Sequence, residues 1–177
     1  MAFAYVVKNQ EGTYFVTFTV HQWVDVFTRQ TYVDELIESL QYCQREKGLE
    51  IFAWVIMSNH CHLIVRAPGN RRLSDIIRDF KKYTSKRIYK AIKESMQESR
   101  RAWLLKVLSY EGKIWFWEEG YHGEEIYSME FFETKLNYIH LNPVRAGIVE
   151  KEEDYLNSSA GELYGIRKGK LRLTRFG

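Results

Sequence analysis

Two apolar segments, Leu49 to Met57 (LEIFAWVIM) and Cys61 to Val65 (CHLIV), joined at Ser58-Asn59, constrain this chain more than any other part of it. Both are rich in the β-branched and aromatic residues that suit a pleated surface, and asparagine tolerates the left-handed backbone of a tight turn. The pattern predicts a β-hairpin whose second arm opens on His60-Cys61-His62. Alternate side chains of a strand share a face, so the two histidines project side by side while Cys61 points the other way. Two neutral imidazoles from one strand can hold a divalent cation and leave coordination positions open. Histidines so placed can also be hydrogen-bonded structural groups.

The flanking segments supply a fold around this hairpin. Thr13 to Val20 (TYFVTFTV) alternates as a strand does, and Thr31 to Lys47 places Val33, Leu36, Ile37 and Leu40 at helical spacing before a terminating Gly48. A second helix is predicted from about Leu73 to Lys93, with Ile76, Ile77, Phe80, Ile88 and Ile92 on its apolar stripe. Ile114 to Glu118 (IWFWE) reads as a fourth strand. Ser128 is positioned to cap a further helix, with Phe132, Leu136 and Ile139 on one side, which Pro143 should stop. Beyond Gly147 the pattern is mostly loop, closing in a basic tail over about 160–177. The order strand, helix, strand, strand, helix, strand is the split βαβ plan, so the expected class is α+β and ferredoxin-like: a four-stranded antiparallel sheet, helices on one face, and an extra C-terminal helix. A length of 177 residues fits one domain, 1–177.

That last helix carries Tyr138, with Asn142 four residues on, so a phenol and a neutral oxygen ligand share one stripe. A phenol is a weak nucleophile unless a cation or base favours its phenolate, and a metal held by His60 and His62 would supply that field while polarising a phosphoryl oxygen. Imidazole and amide ligands with a bridging phosphate favour Mg2+ or Mn2+ over a structural zinc. Tyr138 is one of 12 tyrosines, and Asn142 before Pro143 can equally serve to end the helix.

Charge points to the partner. The net charge is only +3, but Arg71, Arg72, Arg78, Lys81, Lys82, Lys86, Arg87 and Lys90 fall in one short stretch against Asp75 and Asp79, and the tail adds Arg167, Lys168, Lys170, Arg172 and Arg175. Such clustering suits a polyanion, with a solvated helix face as the alternative. Cys43 and Cys61 have no metal-site or disulfide spacing. No apolar run approaches the roughly 20 residues of a membrane span, and Met1 to Gln10 lacks the features of a secretory signal, so a cytoplasmic protein is expected.

The stretches WVIMSNHCHLIV (Trp54 to Val65), RRLSDIIRDFKKYTSK (Arg71 to Lys86), WFWEEGYH (Trp115 to His122), YIHLNPVRAGIV (Tyr138 to Val149) and DYLNSS (Asp154 to Ser159) together resemble the HUH single-strand transposases of the insertion sequence 200-like family, most closely their REP-associated tyrosine transposase branch. The resemblance implies that His60 and His62 are metal ligands, that Tyr138 forms a 5′-phosphotyrosine bond, and that Asn142 stands where the family has a third ligand, often glutamine. It implies cleavage and rejoining of single-stranded DNA beside imperfect hairpins, with Mg2+ or Mn2+, by a homodimer or a monomer. The basic helix and Arg167 and Lys168 of the tail would contact the DNA, and Trp115, Trp117, Tyr121 and His122 are candidates to stack on bases. Two other functions fit the same residues: a noncatalytic hairpin-binding protein, and a metal-dependent phosphodiesterase in which water attacks.

Overall fold

Alternating aromatic and β-branched residues place Thr13–Thr19 in strand β1, and the predicted hairpin forms as β2 (Glu50–Ile56) and β3 (His60–Arg66), closed where Met57 N–H donates to the His60 carbonyl at 2.8 Å. The computed structural model describes residues 7–177. Helix α1 (Gln30–Lys47) joins β1 to β2 and ends at Gly48, whose φ of 66° lets Leu49 N–H reach back to the Cys43 carbonyl. Helix α2 (Leu73–Glu94) follows β3. Next come α3 (Arg101–Val107), a small hairpin of β4 (Ser109–Tyr110) and β5 (Lys113–Ile114), strand β6 (His122–Ile126), α4 (Met129–Arg145) and the short α5 (Ala160–Leu163).

The sheet runs β2-β3-β1-β6 with every neighbouring pair antiparallel, the order of the ferredoxin-like plan. Its two faces are covered differently. Val16, Phe18, Cys61, Leu63 and Val65 pack into the core shared with α1 and α2, whereas Phe15, Ile64, Phe52 and Val55 form a second core with Phe132 and Ile139 of α4. The register sets Thr17 opposite His62 on one side and opposite His122 on the other, so these three side chains stand in a row on the α4 face.

Two expectations are corrected. The fourth strand is His122–Ile126, not Ile114–Glu118. Phe116 and Trp117 are buried in the core, where Trp117 packs edge-on to Phe18 of β1, and the segment's backbone meets the sheet in a bridge from Trp117 to Val20. Pro143, which has no N–H to donate to the Ile139 carbonyl, does not stop α4 at once; the helix runs on to Arg145. Beyond Gly147 the chain is mostly loop, as expected, and it is tied down. Thr174 N–H donates to the Ile51 carbonyl at 2.8 Å, Asn157 and Ser159 pair with Ile56 and Trp54, and Phe176 stacks on Phe132 at 4.2 Å, which covers the otherwise open edge of β2.

Candidate active site

His60 and His62 come from the same face of β3, and their ring centroids are 4.8 Å apart. Each has its Nδ1 engaged. Nδ1 of His60 is 2.7 Å from Asn59 Oδ1, an acceptor, which puts the proton on Nδ1 and leaves the Nε2 lone pair available. Nδ1 of His62 is 2.7 Å from Thr17 Oγ1, and its Nε2 is buried with no hydrogen-bond partner among the described residues. An orphaned buried nitrogen costs about 1–3 kcal/mol, a cost that a bound ligand removes. Burial lowers the pKa of His60, and burial together with His60, Lys135, His122 and Arg145 pushes His62 down to about 3. Both rings are therefore neutral, the form that binds metal.

The donor set fits a divalent cation. No cluster of three His, Cys, Asp or Glu suited to a metal occurs among the described residues, so a third protein ligand must be of another type. Asn142 is half-buried one turn beyond Tyr138, and its side chain makes no hydrogen bond among the described residues. Cys61 faces the opposite core, where burial pushes its thiol up to about 12 and keeps it out of this chemistry.

Tyr138 reaches this cluster from α4. Its ring is 5.3 Å from His62 and 5.8 Å from Phe15, edge-on to both, and the residue remains 42% exposed. Phe15 also stacks on His62 at 5.3 Å, so the three rings form one mutual cluster. The sequence reading missed the cations around the phenol. Arg145 lies over the Tyr138 ring at 4.6 Å and donates to its carbonyl at 2.7 Å, and Lys135 lies 5.8 Å from the ring while paired to Glu124 at 3.0 Å. The signal was present in the spacing: Lys135 and Arg145 stand three before and seven after Tyr138, on the stripe that also holds Asn142.

A family model described as Transposase IS200 like matches residues 9–142, a span that includes His60, His62, Lys135, Tyr138 and Asn142 and ends short of Arg145. The chain belongs to the IS200-like transposase family. Its fold superposes on the structure of a REP-associated tyrosine transposase bound to a REP hairpin with a TM-score of 0.68 and 22% identity, over 99% of this chain and 95% of that one. A protein of Deinococcus radiodurans R1 assigned as a transposase matches less well, at TM-score 0.48 and 20% identity, over 78% and 94% of the two chains. No curated protein matches.

In this IS200-like transposase the expected basic surface is thinned by internal pairing. Lys81 is turned inward, where its amine donates to the carbonyls of Glu118 and Gly120 and burial pulls its pKa down to about 8. Arg78 pairs with Asp75 and Asp79, Arg87 with Glu35, and Lys90 with Glu94. Arg71 donates to the Glu46 carbonyl. Arg167 donates to the carbonyls of Glu153 and Tyr155 and so braces the tail. Arg72 contacts Asp75 at 3.5 Å but is exposed, and Lys82, Lys86 and Lys168 are exposed without an acid partner among the described residues. Of the aromatic candidates, Trp117 is core and donates its indole N–H to Thr84, Tyr121 packs against Phe18, and His122 is bound to Glu124 at 2.6 Å. Trp115 alone of these four has a large exposed surface.

Proposed function

We propose that this transposase cleaves and rejoins single-stranded DNA beside hairpins, with Tyr138 as the nucleophile. The phenol gives up its proton as its oxygen forms a bond to a backbone phosphorus and the bond from phosphorus to the 3′ oxygen breaks; the departing 3′ oxygen takes up a proton, and the phosphate stays on Tyr138 as a 5′-phosphotyrosine. Attack by another 3′-hydroxyl reverses the step, so strands are exchanged without a separate energy source. His60 and His62, with Asn142 as the third ligand, would hold a divalent cation, Mg2+ or Mn2+. When bound, the cation supplies positive charge to a phosphoryl oxygen.

The protein's own groups do the rest. Thr17 and Asn59 hold the two imidazoles so that each presents Nε2. Arg145 and Lys135 surround the phenol with positive charge where a phosphate must approach. Lys82, Lys86, Arg72 and Lys168 offer phosphate contacts outside the site. The hairpin as partner is carried over from the similar structure, which is bound to one.

The observation that carries this reading is the exposed Tyr138 ring 5.3 Å from a histidine whose Nε2 is buried without a partner among the described residues. Wild type incubated with hairpin-bearing single-stranded DNA and Mg2+ or Mn2+ should give an adduct that survives denaturation, and Tyr138→Phe should bind the DNA without forming it. Cleavage by the phenylalanine variant at the wild-type rate would replace Tyr138 with water as nucleophile. Tight binding with no cleavage by wild type would make the protein a hairpin binder.

A further inference from the structure

Between α2 and β6 the chain inserts α3 and the β4–β5 hairpin, which the six-element plan of the sheet does not require. Leu104 and Leu108 are fully buried and anchor this insertion to the core. Its remaining aromatic residues point outward: Trp103 is 53% and Tyr110 66% exposed. With His21 and Trp115 they line an open cleft of about 570 Å³ that also contains Lys106, a volume within the usual range for small-ligand sites. Trp115 in turn borders a second depression lined by Lys82. The cleft thus combines flat apolar rings with cations on two sides.

The wall nearest the histidines is backbone held in an unusual conformation. Gln22 and Trp23 have φ of 54° and 56°, a left-handed pair with no glycine, which costs energy unless neighbouring contacts impose it. Glu118 accepts from Gln22 N–H at 2.6 Å, and Asn59 donates its side-chain amide to the Trp23 carbonyl at 3.3 Å. The result is an indole that is 61% exposed and lies 6.0 Å from the His60 ring. Asn59 is also the residue that orients His60. Gln22, which lines the cleft, is the residue before Trp23, so this turn joins the cleft to the His60 side of the sheet.

We propose that this cleft binds unpaired nucleobases of the DNA strand that leads to the His60–His62 site, by stacking on Trp103, Tyr110 and Trp115, with Lys106 and Lys82 facing its phosphates. Any base offers a π-face, so such a surface holds a single strand without needing its sequence, whereas a blunt duplex keeps its bases stacked inside and cannot use it. The inference rests on the proposed action on single-stranded DNA.

The test compares two DNAs: a hairpin with unpaired nucleotides on both sides of its foot, and the same hairpin blunt. Trp103→Ala combined with Tyr110→Ala, both exposed positions, should weaken binding of the flanked hairpin about 10-fold or more, as expected for losing base stacking, and leave the blunt hairpin unchanged. Wild type should show a similar loss when the flanking nucleotides are made abasic, a measurement that needs no variant to fold. Unaltered affinity for the flanked hairpin, equal losses on both DNAs, or indifference of wild type to abasic flanks would each overturn the inference. Adduct formation at saturating DNA, read in parallel, separates this from the function itself: it persists in the double variant if only the cleft is misassigned, and is absent from wild type if strand transfer is not the function.

Discussion

Thr17 Oγ1 sits 2.7 Å behind the imidazole of His62, on the side away from the orphaned Nε2. The hydroxyl fixes the rotation of the ring, and the β1–β3 register is what puts it there. Thr17→Val preserves the shape and the strand propensity and removes only the oxygen. Calorimetric titration with Mn2+ should show affinity lower by about 10–100-fold, the usual consequence of losing such a support. Unchanged affinity would mean that packing against Phe15 alone orients the ring.

Arg145 covers the Tyr138 ring at 4.6 Å and also donates to the Tyr138 carbonyl, so it travels with Tyr138 if α4 moves. In the proposed reaction its charge lies where a phosphate becomes more negative during attack. Single-turnover adduct formation by Arg145→Gln at saturating DNA should be slower by about 100-fold, the scale for removing one group aimed at a transition-state charge. Lys135→Met should do less, because Glu124 already accepts from that amine. A rate loss in Arg145→Gln that vanishes at high DNA concentration would place the arginine in binding alone.

Adjacent lysines on α2 should behave differently. Lys82 and Lys86 are exposed, whereas Lys81 is engaged by two carbonyls of the segment before β6. Replacing Lys82 and Lys86 together with alanine should lower the slope of log affinity against log salt by about 0.7–0.9 for each phosphate that is no longer neutralised. Lys81→Met should leave the slope unaltered and lower the melting temperature. A reduced slope in Lys81→Met would show that its internal bonds open when DNA binds.

The hairpin and the three long helices were legible because their signals are local: alternation in β1, stripes in α1 and α2, Gly48 as a stop, Ser128 as a cap whose hydroxyl accepts from Phe131 N–H at 3.1 Å. The fourth strand was hidden for the same reason. HGEEI has a glycine and two acids and lies at the sheet edge, where pairing with β1 rather than side-chain propensity decides the conformation, while the more strand-like IWFWE gives its Phe116 and Trp117 to the core. His60, His62 and Tyr138 could be picked out by residue type and spacing, but not the partners that orient them. Thr17 reaches His62 only through a register between strands far apart in sequence, and Lys81 and Arg167 look like surface cations until their carbonyl partners are seen.

His140, two residues beyond Tyr138 and turned into the interior, gives the fold a pH dependence of calculable sign. It is buried, its Nε2 is 2.8 Å from Ser159 Oγ, and burial pushes its pKa down to about 4 from an ordinary value near 6.5. Between those values the unfolded chain binds the proton and the folded one does not, so stability rises with pH across this window. The contribution is complete above about 6.5 and is lost as pH falls toward 4, roughly 3 kcal/mol in all at 1.36 kcal/mol per unit. His62 adds a loss in the same direction, so the variant His140→Gln is needed to isolate this one. In urea denaturation the variant should be the less stable protein at pH 7.5, and the gap to wild type should narrow steadily toward pH 4.5. A gap that stays constant would show that His140 is not the group being titrated.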